Sequence, residues 1–557
     1  MAALITTEPG EPVPPAPRHS VTFYFGRELE RIEKFGADPG PVVARLKTAY
    51  PRMKPHRDIQ QLADAILAIA GAQGESCVLF SSLNSARECV EYATAPERDD
   101  GNAKKPVPAA QIRIRTFTAK DVIYAVIFPA EYTAVLSGFW LLAGVGVSSR
   151  FGETNAKHQH QLPDGLKEVS LDSIQGLDRD RSQFDAAVHQ TLRERIVSLL
   201  DRAPLAPAAE PRPTAGDVYL FPSGMATIYK PITYLPAHLR GINVLFGMAF
   251  TNTVTLLTEF GGLQLFGLGA DEQLADLERF LAEKRDQGAK VQAIWTEFPA
   301  NPVVQTPHIE RLRELADEYD TLLVIDDTIG SFANVDVMSK ADMLVTSLTK
   351  SFNGYADVIA GSAVLNPASR KYAELKALFD KHYTPELYVG EAAALELNSR
   401  DYLQRTATLN RNASAVATFL DSCAQDPRSA VKQVCYPPLR PSHDNYRRYM
   451  RPATADLEPG YGCLLNVELA HLDATRAFYD RLNVYKGPHI GAPFTLALPY
   501  VLGVYQQRLG WAAENGLKPT QIRIAVGLED TETLLEEFRL AVDAANKASG
   551  FGNSIDT

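Results

Sequence analysis

From Asp217 onward, short apolar runs alternate with longer amphipathic ones. VYLFPSG leads into the helical pattern MATIYKPITYL, and INVLFGM is followed by FGGLQLFGL. The helical stretch DEQLADLERFLAEKRDQG precedes VQAIWTEFP, and IERLRELADEY precedes TLLVID and then MLVTSLT. Unbroken apolar runs of this length predict strands buried on both faces, and helices between them predict a mostly parallel sheet. Such a sheet carries its polar sites at the carboxyl ends of its strands. Upstream, Asp58 to Ala70 is apolar at helical spacing. Ser76 to Phe80 reads as a strand, Asn84 to Tyr92 as a helix, and Ile112 to Phe117 and Val122 to Phe128 as strands joined by a TAKD turn. Residues 155 to 200 are charged and helical in pattern, and PLAPAAEPRPTAGD is a linker or a rigid loop. After Pro367, a long helical stretch, the strands GCLLNVEL and IRIAVGL, and the helix ETLLEEFRLAVDAANKA predict a smaller α+β domain.

The resulting division is a disordered leader over 1–20, an N-terminal extension with a small α/β unit over 21–155, a large domain over 156–370 and an α+β domain over 371–557. A length of 557 residues is consistent with two or three cores. A net charge of -11, spread along the chain, argues against nucleic acid as a partner. Five cysteines without a CxxC pair read as unpaired thiols of a reducing compartment. The acidic, proline-rich start resembles no signal or transit peptide, and no apolar run reaches membrane-spanning length. The expected location is cytoplasmic, with no membrane partner and no metal.

The chemistry gathers at predicted strand ends. Lys350 follows MLVTSLT, with Ser347 and Thr349 on one side of the strand by alternation. Asp326 closes TLLVID, with Asp327 as a cap or supporting group. Ser223, Gly224 and Met225 end one strand and open a helix, a general anion site. Pyridoxal 5′-phosphate needs a lysine for covalent attachment, an acid for its pyridine nitrogen, donors for its phosphate and a flat side chain over its ring. Lys350, Asp326, this helix start and Phe246 supply those parts, and Asn301 could donate to the phenolic oxygen. Arg523, alternating with Ile522 and Ile524, needs an anion, which a substrate α-carboxylate would provide. Taken singly, each has a plain alternative: a surface lysine, a helix cap, a core aromatic, an internal salt bridge.

These residues resemble the motifs of the cystathionine γ-synthase group of the Cys/Met-metabolism family, which have a fold type I, aspartate-aminotransferase-like architecture. The chain looks closest to the fungal members with a long N-terminal extension. The resemblance is diffuse over about 50–140 and strong from about 215 to 530. It rests on SLTKSFNGYAD, on Asp326-Asp327-Thr328, on the loop Glu297 to Pro302 and on RIAVGLED. It implies that Lys350 binds the cofactor and shuttles protons, and that Asp326 pairs with the pyridine nitrogen. Gly224, Met225, Ser347 and Thr349 would hold the phosphate, and Arg523 the substrate carboxylate. It also implies that Arg150 reaches a neighbouring subunit's phosphate, hence a homodimer or homotetramer.

Three departures bear on the substrate. Phe246 stands for the family's ring-stacking tyrosine, Leu141-Leu142-Ala143 replaces a polar trio, and His489 occupies a serine position near the expected substrate entrance. The expected function is γ-substitution on an O-activated homoserine, the O-acetyl ester first, with a carbon nucleophile such as a β-keto acid or ester enolate. The alternatives are cystathionine formation from cysteine, an O-acetylhomoserine sulfhydrylase, a γ-lyase, or a non-catalytic protein retaining the fold.

Overall fold

A computed structural model describes residues 4–13, 18–47, 52–98, 105–158, 165–174, 181–205, 211–235 and 240–551. Parts of the leader and of the proline-rich segment therefore lie outside the described residues. An N-terminal sheet contains β1 (Glu75–Phe80), β2 (Arg113–Thr118), β3 (Val122–Pro129) and β4 (Lys167–Val169), in the order β1-β3-β2-β4. The central sheet contains β5 (Val218–Phe221), β6 (Ile242–Phe246), β7 (Leu263–Phe266), β8 (Val291–Glu297), β9 (Leu322–Asp326), β10 (Met343–Thr346) and β11 (Gly361–Leu365). Its order is β5-β11-β10-β9-β8-β6-β7, and only β11 runs against the others. The reason is the connection: residues 347–360 return from β10 without a crossover helix, and such a loop yields an antiparallel neighbour.

The C-terminal sheet is formed by β12 (Val431–Cys435), β13 (Leu464–Leu469), β14 (Tyr485–Lys486), β15 (Leu496–Leu498) and β16 (Gln521–Ala525), in the order β12-β13-β16-β15-β14. Both faces of the central sheet are covered. Leu220, Val244, Ile294, Ile325 and Leu344 enter one core, while Tyr219, Leu245, Trp295, Val324 and Val345 enter the other. Period-two alternation of apolar strands produces that split. In β3, Tyr124, Val126 and Phe128 join the central sheet's core, whereas Ile123, Ala125 and Ile127 face a separate core with Leu62 and Phe117. The N-terminal unit is thus packed directly on the large domain.

Two boundaries differ from expectation. The helices Tyr372–His382 and Val389–Asn398 pack their Leu375, Phe379 and Leu395 into the large domain's cores. The domain change falls inside the helix Tyr402–Ala424, which buries Tyr402 with the large domain and Val416 and Leu420 with the small one. The described part of the leader is held rather than loose. Gly10 N–H donates to Tyr24 O at 2.7 Å and Val13 is buried, and the segment that follows the leader places Val21, Phe23, Phe25, Leu29 and Ile32 in the C-terminal domain's core. Arg18 pairs with Asp58 at 2.9 Å, and His19 Nε2 lies 2.9 Å from Glu153. Among the described residues, His19, His56 and Asp58 are grouped closely enough to hold a cation. Each ring nitrogen there already has a protein partner, so a hydrogen-bond network accounts for the group.

All five cysteines are free. Among the described residues, no helix is long and apolar enough to cross a membrane.

Candidate active site

Parallel register brings the chemistry together. Glu297 at the end of β8 is the direct neighbour of Asp326 at the end of β9, and Asp326 is the neighbour of Val345 in β10. Three strand ends therefore open on one cavity, which Glu297, Asp326, Ser347, Thr349 and Lys350 line. Asp326 Oδ1 accepts from Thr328 N–H at 2.9 Å. Burial raises its pKa above the ordinary carboxylate range, while the hydrogen bonds from Thr328 and then the Lys350 ammonium pull it back down. A cationic ring nitrogen would act on Asp326 in the same sense as Lys350.

The helix Gly224–Tyr234 begins at this cavity, with Gly224 and Met225 in its wall. The N–H groups of a first turn have no acceptor within their own helix. Ser223 caps the turn by accepting from Ala226 N–H at 3.1 Å and donates to Gly144 O at 2.8 Å. Its hydroxyl is spent on the cap, and Ser223 does not line the cavity, contrary to expectation. A Cβ added to Gly224 would lie 2.7 Å from Ser347 Cβ. That close approach sets the helix start against the Ser347 hydroxyl, a cradle suited to a phosphate.

Arg523 reaches the opposite wall from β16. Its Nη1 donates to Asn301 Oδ1 at 3.1 Å and its Nη2 to Pro488 O at 2.6 Å, over the ring of Tyr500 at 4.9 Å. Three contacts from three segments fix the guanidinium plane before any ligand arrives. Of the expected residues, Lys350, Asp326, Gly224, Met225, Asn301, Ser347, Thr349 and Arg523 share this one cavity.

Besides Ser223, three others do not. Phe246 is fully buried under the sheet, packed on Phe266 with ring centroids 6.3 Å apart. As the last residue of β6 it alternates away from the cavity, and the aromatic in the wall is Phe250, after the turn at Gly247 (φ 88°). His489 is fully buried, although its neighbours Pro488 and Ile490 line the cavity. Burial, then the charges of Lys350 and Arg523, holds its pKa well below the ordinary imidazole range. It is a neutral ring behind the wall rather than a group at an entrance. Arg150 donates to Asp357 O at 2.7 Å and pairs with Glu391 within its own chain, away from the cavity.

Leu141, Leu142 and Ala143 belong to the helix Thr133–Ala143 and put no side chain into the cavity. Instead, the carbonyls of Trp140 and Leu141 accept from Arg52, which lines the cavity from the N-terminal segment.

Arg52, Phe250 and Glu297 also line the cavity; sequence reasoning gave none of them a role and named Glu297 only as the start of a motif loop. Glu297 had a legible signal, because an acid closes β8 as Asp326 closes β9. Phe250 lies beyond its strand and Arg52 in a distant turn, so neither had a local one.

Behind Asp326, the buried Asp327 accepts from Thr346 Oγ1. Burial, with Asp326 beside it, pushes its carboxyl from 3.8 up to about 7. An acid raised in the folded state contributes stability that is complete below the unfolded value and is lost as pH rises through the folded one. Asp327→Asn should therefore flatten the fall in the apo-protein's thermal midpoint between pH 3.8 and about 7. Wild-type and variant curves that stay parallel over that window would exclude this.

Comparison with known proteins matches residues 213–543 to the model of the Cys/Met metabolism PLP-dependent enzymes. The chain belongs to that family. Residues 58–148 match the N-terminal domain of the fungal trans-sulfuration enzymes. The chain is 34% identical to a cystathionine gamma-synthase-like enzyme, iboG2, of Amanita muscaria, over 97% of each chain. It is 32% identical to an alanine racemase, ungC, of Aspergillus violaceofuscus, again over 97% of each. In fold it resembles a cystathionine gamma synthase structure from Xanthomonas oryzae pv. oryzae at a TM-score of 0.54 and 21% identity, covering 66% of this chain and 88% of that one. The architecture is the fold type I, aspartate-aminotransferase-like one, and the cofactor is pyridoxal 5′-phosphate. The family member is thus an enzyme, a transferase of the γ-replacement kind.

Proposed function

We propose that this enzyme replaces the γ-substituent of an O-activated L-homoserine, the O-acetyl ester first, with a carbon nucleophile such as the enolate of a β-keto acid or ester. The observation that carries the choice of acceptor is the apolar wall beside Lys350, formed by Phe250, Ile329, Ile359 and Ile490. Among the described residues no tyrosine lines the cavity, and an apolar surface suits an acceptor with a hydrocarbon body while keeping water from the reacting carbon.

When bound, the cofactor supplies an electron sink for charge released at Cα and Cβ of the substrate. Gly224 and Met225 N–H groups, Ser347, Thr349 and Arg52 would hold its phosphate, and Asp326 its ring nitrogen. Arg523 orients the substrate carboxylate, so that Cα–H faces the Lys350 amine. Lys350, on a flexible four-carbon stem, takes the Cα and Cβ protons as the acyloxy group leaves Cγ, and returns a proton to each carbon after the acceptor enolate adds at Cγ.

Two further readings come from the same fold. Cysteine as acceptor would give cystathionine, and the likeness to an alanine racemase raises proton exchange at Cα with no γ-chemistry. The testing experiment offers O-acetyl-, O-succinyl- and O-phospho-homoserine with acetoacetate-type acceptors, cysteine or sulfide, and L-alanine alone, with products read by mass spectrometry and chiral separation. The acetyl ester with a carbon acceptor should give the fastest product. Faster cystathionine formation, keto acid without any acceptor, or alanine racemisation alone would overturn the proposal. Self-association as a homodimer or homotetramer, and a cytoplasmic location, belong to the same proposal. Light scattering of the loaded enzyme checks the first, and a monomer would overturn it.

A further inference from the structure

Glu297 lines the cavity and is buried, yet no step above uses it. Its two oxygens serve two different loops. One accepts from Phe250 N–H at 2.7 Å and the other from Asn301 N–H at 2.9 Å. Phe250 precedes the helix Thr251–Glu259 and supplies the aromatic wall. Asn301 passes the connection on, since its Oδ1 accepts from Arg523 Nη1 at 3.1 Å. One carboxyl group therefore ties the aromatic wall to the arginine that grips the substrate.

Its position is costly. A buried acid directly beside Asp326 in the sheet register faces both desolvation and like-charge repulsion. Burial and then Asp326 accordingly push its carboxyl up, while the two backbone N–H groups pull it back down. A residue kept only for packing would not need an acid there. Its geometry matters because an oxygen is required on both sides: each loop presents a donor, and only a carboxyl group offers two acceptors at that spacing.

We propose that Glu297 is a positioning residue that sets the Asn301–Arg523 grip on the substrate carboxylate from the same point that fixes Phe250. The inference rests on Arg523 binding that carboxylate and is independent of the acceptor's identity. Glu297→Gln keeps the volume but places an NH₂ group against one of the two backbone N–H donors, so one loop loses its anchor.

The test is equilibrium binding to the cofactor-loaded enzyme, followed by its absorbance. The probes are L-norvaline, which has no γ leaving group, and n-butylamine, the same skeleton without the carboxylate. E297Q should weaken norvaline about tenfold, the size of one lost charge-assisted contact, and leave butylamine unchanged. Asn301→Ala should do the same, and the double variant should be no weaker than N301A alone, as expected of two residues acting through one connection. Equal weakening of both probes, no weakening of norvaline, or additive losses in the double variant would overturn the proposal. Should E297Q fail to fold, the N301A comparison decides alone by the first two criteria. Arg523→Leu separates the two levels: if it leaves norvaline and butylamine equally affected, the arginine reading itself fails, whatever Glu297 does.

Discussion

Replacing Lys350 by alanine is expected to lower turnover by on the order of 10⁴-fold, the loss typical when a group that both attaches and transfers protons is removed. The residue sits past the end of β10 in the cavity wall, close enough to Asp326 and His489 for its charge to act on both. Among the described residues, no second lysine lines that cavity to take its place. The folded structure should survive, because the Lys350 side chain faces the cavity rather than a core. Borohydride reduction followed by peptide mass spectrometry supplies a readout apart from activity. The peptide containing residue 350 should carry the cofactor in the wild type, and no peptide should carry it in the variant. Retention of turnover within tenfold, or reduction onto another lysine in the wild type, would remove Lys350 from its assigned role.

Asp326→Ala should be the next most damaging change. It removes the acid that closes β9 beneath the cofactor's expected ring position. Breaking a buried ion pair by deleting one partner costs about 3–5 kcal/mol, which corresponds to a loss on the order of 10³-fold. Part of that loss should appear as weaker cofactor binding and part as slower turnover, because the same charge holds the ring and keeps it able to accept electrons. Asp326→Asn separates charge from shape: the amide preserves volume and the bond from Thr328 but offers no anion. An asparagine variant as impaired as the alanine one would attribute the effect to charge. If it retained wild-type turnover, the ion-pair role would be lost. Asp326 has a second carboxyl beside it, and Glu297→Asp should impair turnover far less than either Asp326 change. The two acids are adjacent but differently engaged, one toward the cofactor and the other toward backbone donors.

Much of this was legible in the chain. Apolar runs of strand length separated by amphipathic helices determined the parallel sheet and its order of construction. The polar residues that end those runs determined where chemistry would gather, because a buried strand end tolerates lysine, aspartate or arginine only when something neutralises it. Lys350 and Asp326 were found that way, Arg523 by its alternation with isoleucines and Gly224 at a strand-to-helix turn, and the structure brings them to one cavity. The long N-terminal extension was recognised as a separate unit, although its leader was read as loose.

What the sequence left undecided depends on direction and distance in space. Phe246 and Phe250 are both aromatic and four residues apart. Only the turn at Gly247 shows that the first points into the core and the second into the cavity. His489 looked available at an entrance, yet alternation along its segment turns it inward while Pro488 and Ile490 face the cavity. Arg150 and Arg52 differ in tertiary placement: within its own chain the first pairs with Asp357 and Glu391, and the second is carried to the cavity on carbonyls at the end of a helix. By itself, then, the sequence determined the fold class and the lysine and acid that meet at the cavity, while the resemblance of its motifs pointed to the cofactor and the reaction family. The physical basis is that burial pattern and strand-end polarity are local properties. Which aromatic lines the cavity, which arginine enters from the N-terminal segment and which acid ties two loops together were decided by tertiary structure alone, since those assignments depend on side-chain direction and on contacts between segments far apart in the chain.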